Sequence, residues 1–245
     1  MFSFFKSFSP KTINDFSFIG TDIHSHLIPS IDDGCDSLEN SLLCIEHLKE
    51  MGFNKIVTTP HIMASVYPNT PVIINEGLKL LTTALKEKNI QIEIEAAAEY
   101  KVDELFTEYL ATDNLLTFGD NYVLIELSFV APPVNLEEVI FTMITKGYKP
   151  ILAHPERYRY WNDKLHKFEH LKTLGCLFQL NLMSLVGQYG LAAKIVAHKL
   201  LSNNLINFLG TDLHRLEDVN TLQKLLKSND DFKKIYNLNP LNKSI

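Results

Sequence analysis

Histidines and carboxylates recur at the ends of short apolar runs along this chain. His24-Ser25-His26 leads into Asp32-Asp33-Gly34; Thr59-Pro60-His61, Ala98-Glu99 and Glu126 follow, and then Ala153-His154-Pro155-Glu156-Arg157-Tyr158, Gln179-Leu180-Asn181 and Thr211-Asp212-Leu213-His214. A lone histidine at a strand end is more often structural, and a lone glutamate more often a solvated charge. So many together are different, because imidazoles and carboxylates buried without a cation are costly to desolvate and the acids repel one another. Divalent metal is the simplest remedy. Alternation along an extended strand puts His24 and His26 on one side, within reach of one ion. A mixed His and carboxylate set suits Mn, Zn or Fe with open positions, not a closed thiolate zinc site. Two or more such ions can hold a bridging hydroxide and clamp the attacking and leaving oxygens of a phosphate ester.

Arg157, three residues after His154, offers a planar fork to phosphate oxygens; its competing role is a surface ion pair with Glu156. Arg215, beside His214, is a second phosphate candidate whose competing role is simple solvation. His47, His166, His170 and His198 fall on helices or helix edges, outside the set.

Seven apolar runs rich in Val, Ile and Phe must position these residues: 21–24, 55–59, 91–98, 122–127, 149–153, 176–181 and 205–210. Segments of helical period separate them, the pattern of repeated βα units. One helix spans Ser37 to Met51, with Asp36 as N-cap and Glu39 closing a capping box over the stripe Leu38, Leu42, Ile45, Leu48. Thr70-Pro71 opens a second to about Lys88, Asn135 caps a third to Lys146, and Leu191 to Leu201 forms a later one. In a parallel barrel the βα loops converge at the C-terminal ends of the strands, where every polar residue above falls.

With 245 residues and 46% hydrophobic content, the chain can bury one core. We expect an N-terminal arm, 1–19, and a single domain, 20–245. A net charge of −6 argues against nucleic acid as a partner. The three cysteines are an odd number with no CxxC pair, which suits a reducing, cytoplasmic compartment. The opening MFSFFKSFSP is too short for a transmembrane segment and lacks the layout of a signal peptide. It reads as a frayed or docked arm, or as a weak contact with a membrane or partner through Phe2, Phe4, Phe5 and Phe8.

Taken in order and spacing, Asp22-Ile23-His24-Ser25-His26, Asp32-Asp33-Gly34, Thr59-Pro60-His61, Glu99, Ile125-Glu126, Ala153 to Tyr158 and Asp212-Leu213-His214 resemble the PHP superfamily. Within it the likeness is greatest to the CpsB/CapC (YwqE-like) bacterial tyrosine-protein phosphatases, over about residues 20 to 240. The resemblance implies an α/β fold, a distorted seven-stranded (β/α)7 TIM-like barrel, with two to three divalent ions, usually Mn, with Fe or Zn as alternatives. It implies dephosphorylation of the tyrosine-rich tail of a bacterial kinase that controls capsule or exopolysaccharide export. Carried over by motif, His24, His26, Glu99 and Asp212 hold one ion. Glu99 bridges to a second, held with Glu126 and His154, and Asp33, His61 and His214 hold the third. Arg157 meets the substrate phosphate and, with Asp33 and His61, makes up the catalytic set. One departure follows the last motif: the family often has Asn after the His, where this chain has Arg215.

A cysteine-type phosphatase needs Arg six positions after its thiolate. Here Ser41, Glu50 and Leu182 stand six beyond the cysteines, which excludes that chemistry. The alternatives are a small-molecule phosphatase on the same scaffold, such as a histidinol-phosphate phosphatase, and a non-catalytic partner that keeps its metals for stability.

Overall fold

The structure is a computed structural model that describes residues 15–245. Its strands are β1 (Thr21–Asp22), β2 (Lys55–Thr58), β3 (His61–Ile62), β4 (Glu93–Ala96), β5 (Glu99–Lys101), β6 (Tyr122–Glu126), β7 (Lys149–Ala153), β8 (Leu177–Asn181) and β9 (Phe208–Gly210). All pair in parallel, in one sheet ordered β1-β2-β4 and another ordered β3-β5-β6-β7-β8-β9. The helices are α1 (Leu38–Glu50), α2 (Pro71–Glu87), α3 (Glu104–Ala111), α4 (Leu136–Thr145), α5 (Leu165–Thr173), α6 (Gly190–Ser202), α7 (Leu216–Lys227) and α8 (Asn229–Tyr236).

The described residues thus form an α/β fold with nine short strands where seven were expected. Two expected strands are interrupted. Thr59-Pro60 separates β2 from β3, since proline cannot donate to a ladder, and Ala97-Ala98 separates β4 from β5. The first strand stops at Asp22, short of the expected His24. Beyond it the first and last β segments are tied by residues of the polar set and their neighbours. The Asp22 carboxylate accepts from Thr211 N (2.9 Å) and Thr211 Oγ1 (2.8 Å). Asp212 N donates to His24 O (2.7 Å), His26 N donates to Leu213 O (2.9 Å), and Ser25 makes an isolated parallel bridge with Leu213.

Local signals place the helices with small shifts. Ser37, not Asp36, caps α1, accepting from Asn40 N at 3.3 Å, while Asp36 takes Asn40 Nδ2 at 2.7 Å, so no box with Glu39 forms. Thr70 accepts from Ile73 N at 3.3 Å and Pro71 opens α2, as its missing N–H allows. Asn135 precedes α4 without a side-chain cap bond. Between strands and helices lies the main core; a smaller cluster of Ile23, Val57, Ala97, Leu124, Ile151, Ala153 and Phe208 lies among the strands. Phe16 and Ile19, assigned to the arm, are fully buried in the main core, with Phe16 5.4 Å from Phe53 and 6.3 Å from Phe232 between ring centres. Phe2, Phe4, Phe5 and Phe8 lie outside the described residues. Among the described residues, no helix is long and apolar enough to cross a membrane.

Candidate metal centre

The turn after β1 presents His24 and His26, both buried, on one side of the chain. Their Nε2 atoms lie 3.4 Å apart and converge on two carboxylates, Glu99 of β5 and Asp212 just after β9. His24 Nε2 is 3.2 Å from Glu99 Oε2 and 3.3 Å from Asp212 Oδ1; for His26 the distances are 3.5 and 3.6 Å. The opposite ring nitrogens are engaged elsewhere, His24 Nδ1 with Gln179 Oε1 (2.8 Å) and His26 Nδ1 with Asp32 Oδ2 (2.7 Å). Such outer bonds fix ring orientation and turn Nε2 toward a common point. Gly34 keeps the Asp32-Asp33 loop against His26, because a Cβ there would lie 2.3 Å from His26 O.

Two further groups adjoin the first. His154 Nε2 is 3.0 Å from Glu99 Oε1 and 3.7 Å from Glu126 Oε1. His61 Nε2 and His214 Nε2 lie 3.5 and 3.6 Å from Asp33 Oδ1, and His61 Nδ1 is 3.1 Å from Glu99 Oε2. All nine sequence-derived ligand candidates therefore fall within four overlapping clusters: His26, Asp33, His61, His214; His24, Glu99, His154; His24, His26, Asp212; and His61, Glu99, Glu126. Glu99 belongs to two of them and His26 also joins the Asp33 group. His154 and Asp212 adopt φ of 32° and 52°, left-handed values that a non-glycine residue holds only when its surroundings impose them.

Metal bonds of about 2.0–2.2 Å place neighbouring ligand atoms roughly 3.0–3.6 Å apart, the spacing of the convergent atoms here. Glu99 Oε2, His61 Nδ1 and His154 Nδ1 are buried without a hydrogen-bond partner among the described residues, so two of these three atoms sit at their 3.1 Å separation without bonding each other. Electrostatics agree. Burial works against charge on His24, yet Glu99 and Asp212 raise its pKa to about 9. Burial likewise opposes charge on Glu99, but His24 beside it holds it well below the carboxylate range. Burial, with Glu99 beside it, lifts Glu126 to about 8. Burial lowers His61 and His154 to about 4, leaving neutral imidazoles, the form that ligates metal. Buried carboxylates that draw positive charge, neutral imidazoles and unpartnered atoms lie at ligand spacing, so the residues present fit divalent ions.

Arg157, in a 3-10 turn over Pro155–Arg157, does not pair with Glu156. Its Nη1 donates to Asp212 Oδ2 at 2.8 Å, and its guanidinium lies between the rings of Phe129 (4.8 Å) and Tyr189 (4.2 Å). Glu156 is buried and turned inward, accepting from Ser184 Oγ (2.6 Å) and Asn181 N (3.1 Å). Hollows of about 390 and 600 Å³ flank Arg157, the larger lined by Asp33, Asp212, His214 and the exposed Arg215. His47, His170 and His198 pair instead with Glu50, Glu137 and Asp231. His166 stands in α5, also away from the clusters.

Sequence reasoning placed Asp32, Gln179 and Asn181 among the strand-end polar residues without giving them a role, and it missed Tyr189 and Phe129. Asn181 Nδ2 donates to Asp212 Oδ2 at 2.7 Å, and the Tyr189 hydroxyl lies 3.3 Å from the same atom. Gln179 and Asn181 alternate on β8, a period-two signal that marked their side. Tyr189 and Phe129 carry no local signal.

Parallel strands whose ends deliver overlapping His and carboxylate clusters define an α/β protein with a centre suited to divalent metal. Sequence comparison gives the family. The profile described as "Capsular polysaccharide synthesis, CpsB/CapC" matches residues 20–239, and the chain belongs to that family. It is 31% identical over 200 residues to the tyrosine-protein phosphatase YwqE of Bacillus subtilis (strain 168), covering 81% of this chain and 79% of YwqE. It is 27% identical over 204 residues to the tyrosine-protein phosphatase CpsB of Streptococcus pneumoniae, covering 80% and 83%. A solved chain from the crystal structures of YwqE from Bacillus subtilis and CpsB from Streptococcus pneumoniae, described as unique metal-dependent tyrosine phosphatases, superposes with a TM-score of 0.78. Its identity is 28%, over 91% of this chain and 94% of that one.

Proposed function

We propose that this chain is a metal-dependent protein-tyrosine phosphatase that hydrolyses phosphotyrosine on a bacterial tyrosine kinase controlling capsule or exopolysaccharide export. The observation that carries this reading is the convergence of His and carboxylate ligand atoms beside Arg157, in a family whose relatives are named tyrosine-protein phosphatases.

We assign His24, His26, Glu99 and Asp212 to one divalent ion, Glu99, Glu126 and His154 to a second, and Asp33, His61 and His214 to a third, with Mn the expected metal. When bound, such ions act as Lewis acids on the phosphoryl group and make a nucleophile from water at neutral pH. The chain's own residues do the rest. Arg157, stacked between Phe129 and Tyr189, binds the non-bridging phosphate oxygens, and Asp33 and His61, 3.5 Å apart, complete the catalytic set. Arg215 supplies a second phosphate contact across the larger hollow. The Asp33 side chain is 49% exposed and that of Arg157 22%, so the face is reachable by a tyrosine on a protein tail. A histidinol-phosphate phosphatase, the alternative, is expected to enclose its small ester.

The fold is a distorted seven-stave barrel, in which β2 with β3 and β4 with β5 are broken staves. The bonds from Thr211 to Asp22 and from Asp212 to His24 support closure between first and last staves. Residues 20–245, with the preceding segment whose Phe16 and Ile19 pack into the same core, form the single domain, working in the cytoplasm. Assay of the pure protein with Mn against a phosphotyrosine peptide and histidinol phosphate side by side tests the function. Turnover of the peptide alone is expected; preference for histidinol phosphate overturns it.

A further inference from the structure

Gln179 on β8 is fully buried, and its side chain spans two of the proposed metal subsites. Its Oε1 lies 2.8 Å from His24 Nδ1 and 3.3 Å from the backbone N of His154. A backbone N–H can only donate, so the atom between the two must be the amide oxygen and not the nitrogen. In its neutral, metal-ligating form His24 then carries its proton on Nδ1 and turns the Nε2 lone pair toward Glu99, Asp212 and His26. The same oxygen accepts from the backbone N of His154, a residue with φ of 32° whose ring Nε2 lies 3.0 Å from Glu99 Oε1.

Packing holds the amide in this orientation. A Cβ on Gly210, which pairs with Asn181 in the adjoining strand, would lie 2.6 Å from Gln179 Nε2 and 2.8 Å from His24 Cβ. The absent side chain at Gly210 is thus the space that Gln179 and His24 fill. Gln179 Nε2 itself has no hydrogen-bond partner among the described residues. What the site uses is therefore the oxygen, together with the shape of the side chain.

We infer that Gln179 is a positioning residue for the metal centre: one amide oxygen fixes the tautomer of His24 and the backbone of His154, and so couples two ligands assigned to different ions. The inference rests on the metal centre proposed above. It predicts that an oxygen acceptor at this position, and not an amide as such, sets metal affinity.

Mn2+ titration of chelator-treated full-length protein, followed by the electron paramagnetic resonance of free Mn2+, tests this on the parent, Gln179→Leu and Gln179→Glu, with thermal melting of each metal-free protein as the control for folding. Gln179→Leu is expected to weaken Mn2+ binding by about 10–100-fold, the range typical of groups that orient a ligand, whereas Gln179→Glu, which keeps the acceptor, stays within about threefold of the parent. Parent-like affinity in a folded Gln179→Leu protein overturns the inference alone. Equal loss in Gln179→Leu and a folded Gln179→Glu does the same, because shape and not the acceptor would then matter. A parent that binds no Mn2+ overturns the metal centre itself, and this inference with it.

Discussion

Arg157 donates to Asp212 at 2.8 Å, so the residue proposed to bind phosphate is also bonded to a proposed metal ligand. The pair lies 55 positions apart in sequence, and it links the substrate face to the ion cluster. Asp212 Oδ2 retains Asn181 Nδ2 at 2.7 Å if the arginine is removed. Arg157→Ala is therefore expected to keep metal content and fold. It should lower kcat/KM on a phosphotyrosine peptide about a hundredfold, or about 3 kcal/mol. Lysine should restore only part, being a point charge without the planar fork. Unchanged kinetics with full metal would move the phosphate contact to Arg215.

Metal content is the next expectation. Protein purified without chelator should carry two or three transition-metal ions per chain by elemental analysis, and EDTA should abolish turnover. Removing the ions should also lower the melting temperature, since ligands that bind only the folded state stabilise it. Glu99→Gln should be among the most damaging single changes, losing at least about a hundredfold in kcat/KM, the upper range for residues that merely orient a ligand. A metal-free preparation with full activity would sink the assignment.

Nucleophilic thiol chemistry is not expected. Cys35, Cys44 and Cys176 are buried, and Cys35 and Cys44 lie 3.9 Å apart, so they act as packing groups. Serine at any one should leave turnover intact while a buried hydroxyl without a good partner costs stability by about 1–3 kcal/mol. Replacing His47, His166, His170 or His198 should likewise leave turnover unchanged. Mass spectrometry after rapid quench should detect no phosphocysteine; its detection would overturn the mechanism.

Glu156 provides a pH signature in the metal-free protein. Burial raises its pKa from 4.5 to about 7, against the bonds from Ser184 and Asn181 that lower it. Between those values the folded chain holds a proton that the unfolded chain has released. This contribution therefore favours folding at low pH and is lost as pH rises from about 4.5 to about 7. Glu156→Gln keeps Oε1 for Ser184, so its melting temperature should fall less than the parent's across that window. Parallel pH profiles for the two proteins would show that Glu156 does not titrate there.

Much of the site was legible from residue types at strand ends. His24 and His26 in alternation, Glu99 and Glu126 closing apolar runs, and Asp212 before His214 specify a hard, mixed-ligand metal chemistry wherever the strands bring them, because side-chain direction along a strand follows a local period of two. The apolar runs and the Thr70-Pro71 helix start were local in the same sense. What the tertiary structure decided were relationships between distant groups. Only the assembled fold gives Arg157 to Asp212 rather than to Glu156, and turns Glu156 inward to Ser184. Only it breaks two expected strands near Pro60 and Ala97, and joins Gln179 to His24 across 155 positions. The physical reason is that a hydrogen bond needs its atoms within about 3.2 Å and in line. Composition and periodicity set which face a side chain takes, whereas the partner it finds there depends on how the whole sheet curves and packs.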